Sequence, residues 1–481
     1  MKHLFLNITI FTFLFSLTYG LAAQSDELRY VSGTVFGDGI ELAGVVVTDG
    51  LNVTTTDING KYELHCDHES KFVYLSVPAG YAPPVDNGVV KFYSVPENGK
   101  ETDFKLTKTT NDSKHSFIAI SDIQILREVE FLMLDEAVQD IRKFIDTQNE
   151  APSFMIDCGD MVFDRLNFFS EYISGLSKLN LPVYRTLGNH DMDYGSRTNT
   201  LSMKSYNKTF GPDYYSFNKG KVHYIVLNNV FYLGRTHNYI GYIDERQMEW
   251  LARDLSFVKP GTPVFLMMHI PSTYPEEDLK RLDYYKLSLS LVNNEALYNI
   301  LKPYNAHLLT GHNHTAASFV ITDSLMEHNI PAISGSWWQT AVCPDGTPAG
   351  YAIFSIDGEN ITWQYKAIGK PYNEQFEVYL PRKDKTQPDT LVVNVWNYDS
   401  QWKVEWYQDD VYKGEMERYT EKDPLISEIL SDRSKLLHDW TQAEDTEHLF
   451  RAFPAKNAKS FEIKVTDRFG NIFRKTIKGN L

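Results

Sequence analysis

Five short clusters carry the residues able to do chemistry. They are Ser121-Asp122-Ile123-Gln124, Cys158-Gly159-Asp160-Met161-Val162-Phe163-Asp164, Gly188-Asn189-His190-Asp191, Met268-His269-Ile270 and Gly311-His312-Asn313-His314. Each alone has a plain structural reading: Gly-Asp as a turn, His269 as a satisfied core histidine, His-x-His as an ordinary loop. Together they supply carboxylate oxygens, amide oxygens and imidazole nitrogens, the donor mix of divalent first-row metals. Six or seven such donors exceed the needs of one ion. Two ions are expected, about 3.5–4 Å apart and sharing a carboxylate.

Something must hold these clusters together. Each closely follows an apolar, strand-like run: Phe117 to Ile120, Phe154 to Ile156, Val183 to Leu187, Val264 to Met268 and His307 to Thr310. Helical patterns lie between the runs, through Leu132–Ile145, Phe168–Leu179, Met248–Leu255 and Leu291–Leu301. Alternation of this kind predicts a layered α/β domain over residues 109–368. The loops leaving strand carboxyl ends are where such sheets hold ligands.

The ordered set resembles the calcineurin-like metallophosphoesterase superfamily, with its Asp-x-His, Gly-Asp-x-x-(Asp or Asn), Gly-Asn-His-(Asp or Glu), His and Gly-His-x-His motifs. The resemblance implies a central four-layer α/β/β/α sandwich. It also implies that Asp122, Gln124, Asp160 and His314 hold one metal. Asp160, Asn189, His269 and His312 would hold the other, with Asp160 bridging. In such a site two cations stabilise a hydroxide that attacks phosphorus in line. His190, beside Asn189 but not a ligand in the family, is placed to protonate the leaving alkoxide, with Asp191 expected to orient its imidazole. Two departures stand out. Gln124 replaces a histidine, which predicts a weaker first site and favours manganese or iron, with zinc as a third candidate. The loop from Asp160 to Asp164 is longer than the motif, leaving Asp164 as a candidate support residue.

Arg127, Arg165 and Arg197 each follow a ligand loop, and a guanidinium grips phosphate through paired hydrogen bonds. Each has an alternative carboxylate partner nearby in sequence. The adjacent Trp337 and Trp338, in Ser336-Trp337-Trp338, are candidate pocket walls, Trp338 foremost, with core packing as the alternative.

Outside the central domain, residues 24–108 read as short strands punctuated by Asp49-Gly50 and Asn59-Gly60 turns, a small β-sandwich resembling carboxypeptidase-regulatory-like immunoglobulin modules. Residues 369–481 are β-rich, with a helix expected over Ile426–Leu437. Both flanks resemble the terminal domains of a three-domain bacterial branch of the same superfamily. Residues 1–23 combine Lys2, an apolar run and small residues at Gly20, Ala22 and Ala23, the pattern of a signal peptide. The protein is therefore expected to be exported, to the periplasm or cell surface. No later run suits a membrane span. The 481 residues carry a net charge of −16 without a basic block, which disfavours a nucleic-acid polymer as partner. A small or surface-attached phosphoester is the expected substrate. The competing class is a non-catalytic surface or glycan-binding protein on a degenerate scaffold, for which Gln124 is the one supporting feature.

Overall fold

The computed structural model describes residues 29–97, 100–109, 112–273 and 284–478; the expected signal peptide, 1–23, lies outside them. Along the strand Lys114–Ile120, apolar residues occupy successive positions. Successive side chains leave a strand on opposite faces. Phe117 and Ala119 enter one core, Ile118 and Ile120 another. The strand is thus buried on both sides.

It is the middle of a five-stranded sheet in the order Val183–Arg185, Phe154–Asp157, Lys114–Ile120, Gly350–Asp357, Asn360–Ala367. The first three strands run parallel, and the last two are antiparallel additions. A six-stranded sheet faces it, ordered Tyr215–Lys219, Val222–Val226, Pro263–Met267, Asn305–Thr310, Leu325–Asn329, Ala317–Thr322. Between the sheets, Phe117 meets the edges of Phe265 at 5.1 Å and Tyr224 at 5.7 Å. Within its own sheet it lies flat between Phe154 and Phe354. Such aromatic pairs add about 0.5–1.5 kcal/mol each beyond simple burial.

Helices close the outer faces. The helix Glu130–Thr147 buries Leu134, Val138, Ile141 and Ile145, spaced three and four apart, against the first sheet. The helix Glu245–Leu255 lays Trp250, Leu251 and Leu255 on the second. Its start is fixed by Asp244, whose carboxylate accepts the Gln247 N–H at 2.9 Å. The central domain is therefore a four-layer α/β/β/α sandwich.

Two β-rich units flank it. The first pairs Arg29–Gly37 with Lys61–Cys66 and Phe104–Lys108, facing a second sheet built on Val46–Thr48 and Val73–Ser76. Its core is continuous with the central one, and Tyr214 donates its hydroxyl to the Gly50 carbonyl at 2.6 Å. The last unit stacks two four-stranded antiparallel sheets around Val393, Val395, Phe461 and Ile463. All three cysteines are buried, and none is joined in a disulfide. Among the described residues no helix is long and apolar enough to cross a membrane.

The expected helix over Ile426–Leu437 is shorter. It spans Pro424–Ser431, capped by Asp423, and one turn of 3₁₀ helix follows at Arg433–Lys435. The Arg433 guanidinium turns back to donate to the carbonyls of Asp439 and Thr441, closing residues 436–441 into a loop. Gln339 of the central domain pins that loop: its amide oxygen accepts the Leu437 N–H at 2.9 Å, and its amide nitrogen donates to the Thr441 hydroxyl at 2.7 Å.

Candidate active site

The five clusters leave the carboxyl ends of five strands. Asp122 and Gln124 follow Lys114–Ile120, Asp160 follows Phe154–Asp157, and Asn189 and His190 follow Val183–Arg185, all from the first sheet. His269 follows Pro263–Met267, while His312 and His314 follow Asn305–Thr310, from the second. The site therefore straddles the seam between the sheets.

Donor atoms of Asp160, His269 and His312 lie within 4.8 Å of one another. His269 Nδ1 faces the Cys158 carbonyl at 2.9 Å and donates to it, which directs Nε2 toward the other donors. That Nε2 lies 3.3 Å from Asp160 Oδ1 and 3.1 Å from Asn189 Oδ1. His312 Nε2 faces the Ser288 carbonyl at 2.9 Å, which frees Nδ1. On the other side His314 Nε2 lies 3.3 Å from Asp122 Oδ1. The Gln124 amide nitrogen donates to Asp160 Oδ2 at 2.7 Å. The seven expected ligands thus come together in one cluster, six of them buried and His312 partly so.

Metal ions suit this cluster. Asp122 Oδ1, Gln124 Oε1 and both nitrogens of His314 are buried without a hydrogen-bond partner. An unpartnered buried polar atom costs about 1–3 kcal/mol, and a cation would satisfy several at once. The backbone is shaped to the same end. Asp122, Gln124, Asp160, His312 and His314 all have positive φ, between 49° and 71°. That region is sparsely populated by residues other than glycine and marks functional loops when it recurs. Glycines make room: a Cβ on Gly188 would overlap the backbone nitrogen and Oδ1 of Asp160, and one on Gly311 would overlap the Ser121 hydroxyl.

The charges are mutually arranged. Burial would lower His269, but the Asp160 and Asp122 carboxylates outweigh it and raise its pKa to about 9. Burial, with His269 beside it, pushes His312 down to about 3. Burial would also raise Asp160, but His269 and His190 outweigh it and hold that carboxyl well below its ordinary value.

His190 is set apart from the ligand cluster. Its backbone N–H donates to Asp160 Oδ1 at 2.8 Å, while its ring lies flat on Phe163 with centroids 4.0 Å apart. Its Nδ1 meets Asp164 Oδ1 at 2.8 Å, and His237 Nε2 meets the other oxygen of Asp164 at 2.8 Å. Burial would lower the His190 pKa, but Asp160 and then Asp164 outweigh it, so it stands above the ordinary histidine value.

Two expectations need correction. Asp191 does not touch the His190 imidazole; it is buried and gathers the N–H groups of Asp160 and Gly188 at 2.9 Å, Val162 at 3.2 Å and Met161 at 3.3 Å. The 3₁₀ turn Asn189–Asp191 points that carboxylate back into the loops it ties, and Asp164 is the imidazole's partner. Trp338 does not wall a pocket: its indole donates to the Ile123 carbonyl at 2.6 Å and its ring packs on the helix-side core. Its neighbour Trp337 stacks on His314 at 4.4 Å instead. The three arginines stand in different settings, each at least partly exposed. Arg127 is engaged by Glu130 at 2.7 Å, and Arg165 lies over the Phe168 ring beside Asn167. Arg197 is exposed.

Residues that the sequence alone did not single out complete the surroundings beside Trp337: Phe163, His237 and, from the last domain, Trp440. Phe163 and His237 carried no local signal. Trp440 is separated from every ligand by more than a hundred positions.

Models of the calcineurin-like phosphoesterase family match nearly the whole described chain: the N-terminal module at residues 29–109, the phosphoesterase domain at 115–316 and the C-terminal module at 327–473. The C-terminal match begins inside the central domain rather than at 369. Among curated relatives, the human serine/threonine-protein phosphatase CPPED1 is 27% identical over 173 residues, covering 34% of this chain and 52% of that protein. Bovine CPPED1 is 24% identical over 255 residues, covering 50% of this chain and 74% of its own length. The chain thus spans about half the length of the first relative it matches. A dimetal phosphatase from Danio rerio overlaps with 13% identity and a TM-score of 0.38, covering 53% of this chain and 97% of that one.

Proposed function

The chain belongs to the calcineurin-like phosphoesterases, and from that premise we propose that it is a metal-dependent phosphoric ester hydrolase acting on a phosphate mono- or diester. One observation carries the reading: Asp160, His269 and His312, from two sheets, bring donor atoms within 4.8 Å of one another beside unpartnered buried atoms of Asp122, Gln124 and His314. Asp122, Gln124, Asp160 and His314 would hold one ion, and Asp160, Asn189, His269 and His312 the second. Bound there, the two cations supply charge neutralisation for the phosphoryl oxygens and an activated water.

The chain's own residues do the rest. Asp164 accepts from Nδ1 of His190, which leaves Nε2 as the proton-bearing nitrogen offered to the leaving oxygen. The carboxylates around it favour the charged imidazolium, the form that donates. Phe163 underlies the ring and fixes its plane. Asp191 ties Asp160 and Gly188 through backbone N–H groups, so the ligand loops hold their spacing.

Manganese or iron is the proposed metal, since Gln124 contributes oxygen where imidazole would favour zinc. Export is proposed from the composition of residues 1–23; Edman sequencing of protein recovered outside the cytoplasm should begin near Gln24. The function itself is tested by metal analysis of purified protein together with hydrolysis of aryl phosphate mono- and diesters before and after chelation. Bound transition metal and chelator-sensitive turnover support it. Metal-free protein inert with manganese, iron and zinc alike overturns it.

A further inference from the structure

We propose that the C-terminal domain completes the substrate pocket, and that Trp440, Trp337 and Phe163 form an aromatic wall receiving a planar ring on the alcohol part of the ester. The proposal rests on the hydrolase reading for the reacting phosphate and adds the chemical class of the leaving group.

Four observations carry it. First, Phe163 stacks on His190 and Trp337 stacks on His314, so each covers one histidine of the site with an aromatic face. Second, Trp440 reaches both from another domain, with ring centroids 6.3 Å from Phe163 and 6.4 Å from Trp337. His438 backs it at 4.4 Å. Third, Trp440 remains 51% exposed and belongs to none of the apolar cores of its own domain among the described residues. A tryptophan serving only to glue two domains would be buried between them. Large exposed aromatics gathered beside a polar centre are the usual surface for stacking a flat ligand.

Fourth, the protein holds this arrangement against local preference. Trp337 and Trp338 both have positive φ, 53° and 59°. Bulky residues adopt that region rarely and at a cost. The Trp337 indole N–H is also buried without a partner. Gln339, two residues on, pins the loop bearing Trp440 through its backbone and Thr441. One short segment therefore presents Trp337 to the site and anchors Trp440 beside it.

The test uses the full chain loaded with manganese and two non-hydrolysable probes, 1-naphthylphosphonate and propylphosphonate, titrated by calorimetry and tryptophan emission. Wild type should bind the naphthyl probe at least tenfold more tightly, with quenched emission. Trp440→Ala should remove roughly tenfold of that preference, in the range usual for stacking on one aromatic side chain, and Trp440→Phe should keep most of it. Equal affinity for the two probes, no binding of either, or an unchanged preference in Trp440→Ala would each overturn the proposal. Selective naphthyl binding by a protein that hydrolyses no ester would sustain the aromatic wall while removing the hydrolase reading.

Discussion

Replacing Asp191 by alanine should destabilise the central domain rather than retune the proton donor. The carboxylate is fully buried and accepts four backbone N–H groups from two ligand loops, two of them at 2.9 Å and two at 3.2–3.3 Å. Hydrogen bonds to a charged acceptor are worth about 1.5–3 kcal/mol each, and unpartnered buried donors cost about 1–3 kcal/mol. The simple sum overstates the loss. Burial and the nearby Asp160 carboxylate push the Asp191 pKa up, so the charge is itself held at a cost. Counting the two short bonds fully and the two long ones weakly, then subtracting that opposing cost, gives a net loss of about 3–5 kcal/mol. For a domain of some 250 residues, at about 2–4 °C per kcal/mol, the melting midpoint should fall by roughly 10 °C. Asp191→Asn, which keeps the volume and one acceptor oxygen, should lose about half as much. The assay is calorimetry of the metal-free variants, followed by metal titration. Because Asp191 ties Asp160 to Gly188, both variants should also bind metal less tightly. A variant with wild-type midpoint and metal affinity but an altered pH–rate profile would refute this account and return Asp191 to the role of imidazole partner.

His190→Ala should retain both metals and lose about 10²–10⁴-fold in turnover on alkyl phosphates, with a much smaller loss on nitrophenyl esters, as metal analysis beside paired kinetics will show. With the His190 pKa raised above its ordinary value, the donor is charged below that pKa, so turnover should decline as pH rises through it. Asp164→Asn removes one raising carboxylate and should move that decline to lower pH in the same profile. Gly188→Ala places a Cβ onto Asp160 and should cut metal affinity by more than tenfold in dialysis against manganese, while Gly195→Ala, with open space at its Cβ, should not. Gln124 donates to Asp160 here, so ion binding requires its amide to turn and present Oε1. Gln124→His should then raise manganese affinity at one site about tenfold, in line with the roughly 10–100-fold effects of ligand-shell changes, and identical affinities in wild type, Gln124→His and Gln124→Ala would exclude it as a ligand.

The ligand clusters were legible because strand ends are local features: an apolar run followed by Asp, His or Asn states both the element and the edge. A layered α/β domain was legible for a similar reason, since runs alternate with helices; the four-layer order came from the family resemblance. What the sequence hid was side-chain direction. Asp191 is adjacent to His190 in the chain but turned away from it by a single 3₁₀ turn, whereas Asp164, 26 residues earlier, faces it at 2.8 Å. Trp440 was out of reach for a different reason. Its position depends on a helix ending at Ser431 and on Arg433 closing the following loop, neither of which leaves a periodic signal.

The seam between the sheets has a mechanical consequence. Three ligand loops hang from one sheet and two from the other, with Asp160 on one side facing His269 and His312 on the other. Ions seated there act as rivets through the two central layers of the sandwich, so sliding one sheet past the other must first break coordination. Ligation to the folded state alone adds about 2.7 kcal/mol when free metal is a hundred times its dissociation constant. That resistance is concentrated at the strand ends, where the aromatic packing between the sheets no longer reaches. The same ions that serve the chemistry would then set the shear stiffness of the domain.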